Sequence, residues 1–248
     1  MKQPHASSIF YTYYIVFRSL WSTLYTSICC LARASTRTLS REWIDHRLQT
    51  WTKTILNYAK VDWHVYNPHH VEIPAHRATI LMCNHSSLYD IPLSFLAFPK
   101  VSLRMLAKKE LTKIPFFGQS IKAAEFPNID RHHKQRAIQD LQKVKELLGT
   151  GIVMWIAPEG TRPSNGKLGP FKKGGFITAI ETHAVIIPIG LRGADKILPP
   201  RSRHLQLYQR AEIHIGQPID TQSYSLDRKD ELIAVVRKSM LNLIDQTE

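Results

Sequence analysis

The sequence predicts an α/β fold: a twisted, mostly parallel sheet of about seven strands flanked by helices, behind an N-terminal two-helix membrane-docking motif. Three observations predict it. Short apolar runs alternate with helical patterns beyond residue 60, one long aromatic-rich apolar segment opens the chain, and an amphipathic helix pattern follows that segment directly. The expected division is residues 1–60 for the anchoring helices and 61–248 for a single α/β domain.

From Ile9 to Ala32 the chain is apolar, crowded with Tyr and Trp, and carries one charge, Arg18. A mid-segment arginine costs roughly 2.5–3.5 kcal/mol at a bilayer centre, and Tyr and Trp prefer the headgroup layer, so a shallow or re-entrant anchor is expected. A cleaved secretory signal is the competing reading, weakened by the length of the apolar region and its interrupting arginine. If the segment spans instead, arginines 33, 37, 41 and 47 at its C-terminal flank keep the rest of the chain cytoplasmic. Residues 41–59 place Ile44, Leu48, Trp51, Ile55 and Tyr58 on one helical face. That stripe suits either lipid or the core, and its position beside the anchor and the arginines favours lipid.

The expected strands are the apolar runs 61–65, 79–82, 101–106, 123–129, 152–156, 184–189 and 211–215. Between them, Lys134–Leu148 reads as an amphipathic helix with Ile138, Leu141, Val144 and Leu148 on one side and Gly149 as its stop. Residues 227–243 close the chain as another helix. No glycine-rich nucleotide loop is present, so no nucleotide cofactor is implied.

A formal net charge of +13 and a pI near 9.8 point to an anionic partner: a membrane surface, a phosphorylated substrate or nucleic acid. The basic residues are dispersed, which disfavours nucleic acid. Cys29, Cys30 and Cys83 form no disulfide framework, and a reduced cytosolic setting follows.

In TILMCNHSSLYDIPLSF a buried strand runs into a polar turn and then a helix with Pro92 in its first turn, which makes Asp90 the expected N-cap. His85 and Asp90 then flank one turn at the carboxyl edge of a sheet, where α/β folds bind ligands. A neutral imidazole there removes a proton from an attacking hydroxyl while a carboxylate fixes its tautomer and stabilises the imidazolium. The bland alternative is a loop histidine beside a helix cap. Cys83, Ser86 and Ser87 are the conceivable covalent nucleophiles, but immediate chain neighbours in an extended segment point away from His85.

After the strand GIVMWIA comes Pro158-Glu159-Gly160-Thr161-Arg162-Pro163. Gly160 lets the backbone approach a ligand, Arg162 is suited to a phosphate, and Glu159 to acceptor hydroxyls. Arg131 in FPNIDRHHK is a second phosphate ligand, and Lys108, before the IPFFG turn, a weaker third. His132 and His133 read as solvent-facing, and no ligand set for a metal is spaced along the chain.

Taken in chain order, NHSSLYD, FPNIDR, PEGTR and IIPIG resemble the four blocks of the glycerophosphate acyltransferase superfamily, typified by 1-acylglycerol-3-phosphate acyltransferases. IPFFG and FKKGGF are also similar to stretches of that family, and the resemblance extends over about residues 79–190. It implies direct attack with His85 as general base and Asp90 as its partner. Arg131, Glu159, Gly160 and Arg162 fall in acceptor binding. The donor is acyl-CoA or acyl-carrier protein, the acceptor a lysophosphatidate or, in the same class, glycerol 3-phosphate, another lysophospholipid or an aminoacyl lipid. No metal or other cofactor is implied, and the setting is a bilayer. Ala157, where an aromatic is common, and Pro163, where serine is common, depart from the family pattern beside the acceptor pocket. The contrary expectation is a non-catalytic basic protein that binds anionic lipid or nucleic acid through charge alone.

Overall fold

The structure, a computed structural model, describes residues 3–130, 133–162, 167–199 and 202–245. Helix α1 spans Ile9–Ser35 and begins where the Ser8 side chain accepts the Tyr11 N–H. It is the one described helix long and apolar enough to cross a membrane by length and composition. Its two faces are inverted relative to a soluble helix. Thr12, Ile15, Ser27 and Cys30 are buried against the protein, whereas Phe10, Tyr13, Phe17, Leu20 and Trp21 are all at least 60% exposed. Arg18 is satisfied within the protein: its guanidinium donates to Tyr14 Oη at 2.7 Å and to Tyr58 Oη at 3.3 Å, and it lies over the Tyr58 ring.

Helix α2 spans Arg41–Tyr58, capped by Ser40. Its apolar stripe packs on the protein, with Ile44, Ile55 and Leu56 buried and Leu48, Trp51 and Tyr58 packed against the core. The outward apolar surface expected of both helices is therefore carried by α1 alone, and α2 is the layer beneath it. Ile15, Ile55, Leu56 and Ala59 share one apolar cluster with sheet residues Leu81, Ile187 and Ile213, so the core runs from the N-terminal helices into the sheet without a break.

In chain order the sheet region comprises β1 (Asp62–Tyr66), β2 (Thr79–Cys83), α3 (Asp90–Ser94), β3 (Leu103–Met105), α4 (Phe117–Ala123), α5 (Lys134–Leu148), β4 (Val153–Ile156), α6 (Gly174–Glu181), β5 (Val185–Arg192), α7 (Ala194–Ile197), β6 (Arg210–Ile215), β7 (Ile219–Asp220) and α8 (Lys229–Asp245). The strands form a seven-stranded sheet in the order β1-β6-β5-β2-β4-β3, with β7 paired to β5. The β5-β2-β4-β3 half is parallel, β6 runs antiparallel to β5, and β1 lies parallel to β6. Successive residues of β2 face opposite sides. Leu81 and Cys83 enter the cluster under α2 and α3, while Ile80 and Met82 enter the one under α5, α6 and α8.

Two expectations need correction. Residues 123–129 are not a sheet strand: α4 ends at Ala123, and only Asn128–Ile129 is extended, paired with Ala107–Lys108 outside the main sheet. A short apolar run does not distinguish helix from strand by periodicity. The seventh strand is instead β7. On α5, Val144 and Leu148 are buried but Ile138 is 61% exposed, since the helix meets the core through its later residues, Leu141, Val144, Leu147 and Leu148.

Candidate active site

The parallel pairing of β2 with β5 ends at Cys83 opposite Ile189. Asn84 then bridges the diverging strand ends: its side-chain amide donates to the Leu191 carbonyl at 2.9 Å, and its oxygen accepts the Leu191 N–H at 2.7 Å. This buried two-way bond holds the start of the turn that carries His85. Its partner lies 107 residues away, so no local sequence signal reveals it.

His85 Nδ1 lies 2.8 Å from Asp90 Oδ2. A carboxylate only accepts, so Nδ1 carries the proton and Nε2 is the basic nitrogen. Asp90 is fully buried, and Oδ2 also accepts the N–H of Ser86 at 2.6 Å and of Ser87 at 2.7 Å. The expected N-cap role is thereby corrected. Tyr89 occupies the cap position, and the Asp90 carboxylate turns back onto the His85 loop because three donors converge on it there. The Trp155 ring stands edge-on to the imidazole at 6.1 Å. Cys83 is fully buried, and desolvation pushes its thiol pKa up, away from the reactive thiolate.

Glu159 is 4% exposed and sits in the turn after β4. Its Oε1 accepts the His85 N–H at 3.0 Å and its Oε2 the Gly169 N–H at 2.6 Å. The side chain expected to meet acceptor hydroxyls thus braces the backbone of the imidazole-bearing residue. Gly160 has φ +75°, and a Cβ there would lie 3.3 Å from the Lys172 stem, which accounts for glycine at that point of the turn.

His85, Lys108 and Arg162 line one cavity of about 410 Å³. Its walls are mostly apolar, with Ile44, Leu48 and Trp51 from α2 and Ile121, Phe126 and Trp155 from the domain, and α1 adds Cys30 and the polar Thr23 and Ser27. The three groups that sequence spacing scatters over nearly 80 positions meet at this cavity, and of them Lys108 and Arg162 are exposed. A larger open cleft of about 910 Å³ lies between β1, β6 and α8 and contains none of these residues. Arg131, His132 and Pro163 lie outside the described residues. The neighbouring Asp130 is buried, with Lys109 Nζ at 3.0 Å and Arg136 Nη1 at 3.6 Å from its carboxylate. Among the described residues no three of His, Cys, Asp and Glu gather as a metal site.

Arg104, one of the dispersed basic residues, is fully buried under this cavity's walls. It donates to Asp45 Oδ1 of α2 at 2.6 Å and to the Ala124 carbonyl at 2.7 Å, and its guanidinium lies 5.5 Å from the Phe126 ring centroid. A buried pair with this geometry clamps α2 onto β3 and the end of α4.

A family model described as Acyltransferase matches residues 63–192. The 1-acyl-sn-glycerol-3-phosphate acyltransferase of Cocos nucifera is 39% identical over 115 residues, covering 46% of this chain and 37% of that protein. The putative 1-acyl-sn-glycerol-3-phosphate acyltransferase acl-2 of Caenorhabditis elegans is 28% identical over 207 residues, covering 81% of this chain and 69% of that protein. The matched stretch therefore spans well under two thirds of the Cocos nucifera protein. The crystal structure of the 1-acyl-sn-glycerophosphate (LPA) acyltransferase PlsC from Thermotoga maritima superposes with a TM-score of 0.76 at 24% identity, covering 96% of this chain and 97% of that one. The likeness in three dimensions thus includes the N-terminal helices as well as the sheet.

Proposed function

The chain belongs to the acyltransferase family, and from that premise we propose that it moves a fatty acyl group from acyl-CoA or acyl-carrier protein to the free hydroxyl of a lysophosphatidate, giving phosphatidate. One observation carries the reading: a buried carboxylate fixes the tautomer of an imidazole that borders a mostly apolar cavity also lined by two cationic side chains.

In this mechanism Nε2 of His85 accepts the proton of the acceptor hydroxyl as its oxygen attacks the thioester carbonyl. The tetrahedral oxyanion collapses, the carbon–sulfur bond breaks, and the proton on the imidazolium passes to the departing thiolate. Asp90 stabilises the imidazolium between those steps. Lys108 and Arg162, with Arg131, hold the acceptor phosphate through charge-assisted contacts of roughly 1.5–3 kcal/mol each. The apolar cavity takes an acyl chain, each buried methylene contributing about 0.8 kcal/mol. Such a product does not escape readily into water, so the site works against lipid. The outward aromatic face of α1 lies in the interfacial layer, with the α/β domain on the cytoplasmic side.

Purified protein in detergent, given palmitoyl-CoA and lysophosphatidate, is expected to release free thiol. His85→Ala should lower kcat by about 10²–10⁴-fold with the fold retained. A panel with glycerol 3-phosphate and other lysophospholipids assigns the acceptor, since the highest kcat/KM should fall on lysophosphatidate. Activity undiminished in the variant, paired with steeply salt-dependent lipid binding, would favour a charge-driven binding protein instead.

A further inference from the structure

One peptide group lies between an arginine and a carboxylate behind the His85 turn. Arg237 projects from α8, outside the family match, and its Nη2 donates to the Leu168 carbonyl at 2.7 Å while Nη1 donates to the Gly169 carbonyl. The Leu168 carbonyl and the Gly169 N–H belong to the same amide, and that N–H is the donor to Glu159 Oε2 at 2.6 Å. The other oxygen of Glu159 accepts the His85 N–H. Guanidinium, peptide, carboxylate and the His85 amide thus form one series from the C-terminal helix to the imidazole-bearing residue.

The fit along this series is close. A Cβ on Gly169 would stand 3.1 Å from Glu159 Oε2, so the carboxylate uses the space that glycine leaves. Arg237 is seated on the Phe171 ring at 5.3 Å, and Phe171 stacks on Phe176 of α6. The same loop is tied to the Glu159 turn by the Lys172 N–H, which donates to the Pro158 carbonyl at 2.7 Å.

We propose that Arg237 is a positioning residue for acyl transfer, acting on His85 through the Leu168–Gly169 peptide and Glu159. A cation on the carbonyl polarises the amide and strengthens its N–H as a donor, because hydrogen bonds in series reinforce one another. The guanidinium also supplies the buried Glu159 with a counter-charge one peptide away, and its planar fork holds two successive carbonyls in register, which an ammonium cannot do. The consequence is a His85 backbone held so that its ring meets Asp90 and the cavity together. The catalytic part of this proposal rests on His85 being the base.

The full chain in detergent is compared with Arg237→Leu, Arg237→Lys and, as a control for loss of one positive charge on α8, Lys238→Ala, an exposed neighbour. Two readouts are taken: kcat and KM for thiol release, and hydrogen–deuterium exchange of the amides in residues 84–90 and 167–173. Arg237→Leu should lower kcat by about ten- to a hundredfold with KM for both substrates held within about twofold, since misplacing a catalytic group by an ångström has that effect. Exchange at Gly169 and His85 should quicken at least about tenfold, the mark of a lost local hydrogen bond. Arg237→Lys should recover part of both effects, and Lys238→Ala should match the wild type. Unchanged exchange at Gly169 and His85 in Arg237→Leu would overturn the relay, as would a kcat equal to wild type. If Arg237→Leu does not fold, Arg237→Lys decides: wild-type kcat and exchange in that variant overturn the proposal. Wild-type protein that releases no thiol sinks the acyl-transfer reading itself and the catalytic part of this one, while the exchange data still decide whether the relay exists.

Discussion

Asp90→Asn removes one negative charge from the site and leaves the side chain's shape. In the structure Oδ2 of Asp90 receives three N–H donors, His85 Nδ1 at 2.8 Å, Ser86 N at 2.6 Å and Ser87 N at 2.7 Å, and Oδ1 faces the Ser86 hydroxyl at 3.3 Å. An asparagine oxygen in the Oδ2 position keeps the three donors, and its NH₂ donates to the Ser86 hydroxyl. The loop therefore persists, with each bond to the former charge weakened by roughly 1 kcal/mol. The catalytic effect is larger, because the imidazolium formed during transfer loses its counter-ion. With charge centres about 4 Å apart, the lost attraction is about 4 kcal/mol at an effective dielectric constant near 20 but about 1 kcal/mol in bulk water. The Asp90 side chain is 0% exposed and that of His85 19%, which selects the first regime. At about 1.4 kcal/mol per decade, kcat should fall about a thousandfold, against about fivefold if solvent screened the pair. The assay is thiol release at saturating donor and acceptor, with thermal melting to confirm the folded fraction and KM expected to hold steady. A folded variant that loses less than tenfold in kcat would refute an imidazolium stabilised by Asp90.

Cys83→Ala tests the covalent route: a fully buried thiol with a raised pKa is not a nucleophile, so kcat should stay within about twofold while stability drops by about 1 kcal/mol from the small cavity, read by urea titration. Asp220 supplies a pH test remote from the site. The Arg77 guanidinium, bidentate at 2.8 and 2.9 Å, holds its carboxyl down to about 2. A depressed folded-state pKa stabilises above the unfolded value of about 3.9 and ceases to do so as pH falls through about 2. Asp220 is 49% exposed, so solvent screening limits the effect to below about 1 kcal/mol. Asp220→Asn should therefore be slightly less stable than wild type at pH 7, with the gap closing between about pH 4 and pH 2; a gap that persists at pH 2 contradicts the pairing.

Helices α1, α2, α5 and α8 were legible in the sequence to within a few residues, because a long apolar run and a 3.6-residue period are local signals. So was the His85–Asp90 pair, whose spacing across one turn limits how far apart the two groups stand, and so were Arg162 and Lys108 as cations near a strand end. The role of Glu159 was not legible. Its carboxylate meets the amide of a residue 74 positions earlier, and nothing in the Pro158–Arg162 turn distinguishes a carboxylate aimed at ligand from one aimed at backbone. The Arg104–Asp45 clamp was hidden for the same reason, since a lone arginine in a basic chain reads as surface until folding buries it.

The amino-acid order alone determined the class of fold, its layer of N-terminal helices, and which residues are candidates for the chemistry, since period and turn residues act over a few positions. Tertiary structure decided the rest: that α2 faces inward while α1 turns its aromatics outward, that β1 and β6 run against the other main strands, and that His85, Lys108 and Arg162 share one cavity. Those outcomes depend on contacts between segments far apart in the chain, whose energies arise only when both partners lose water together.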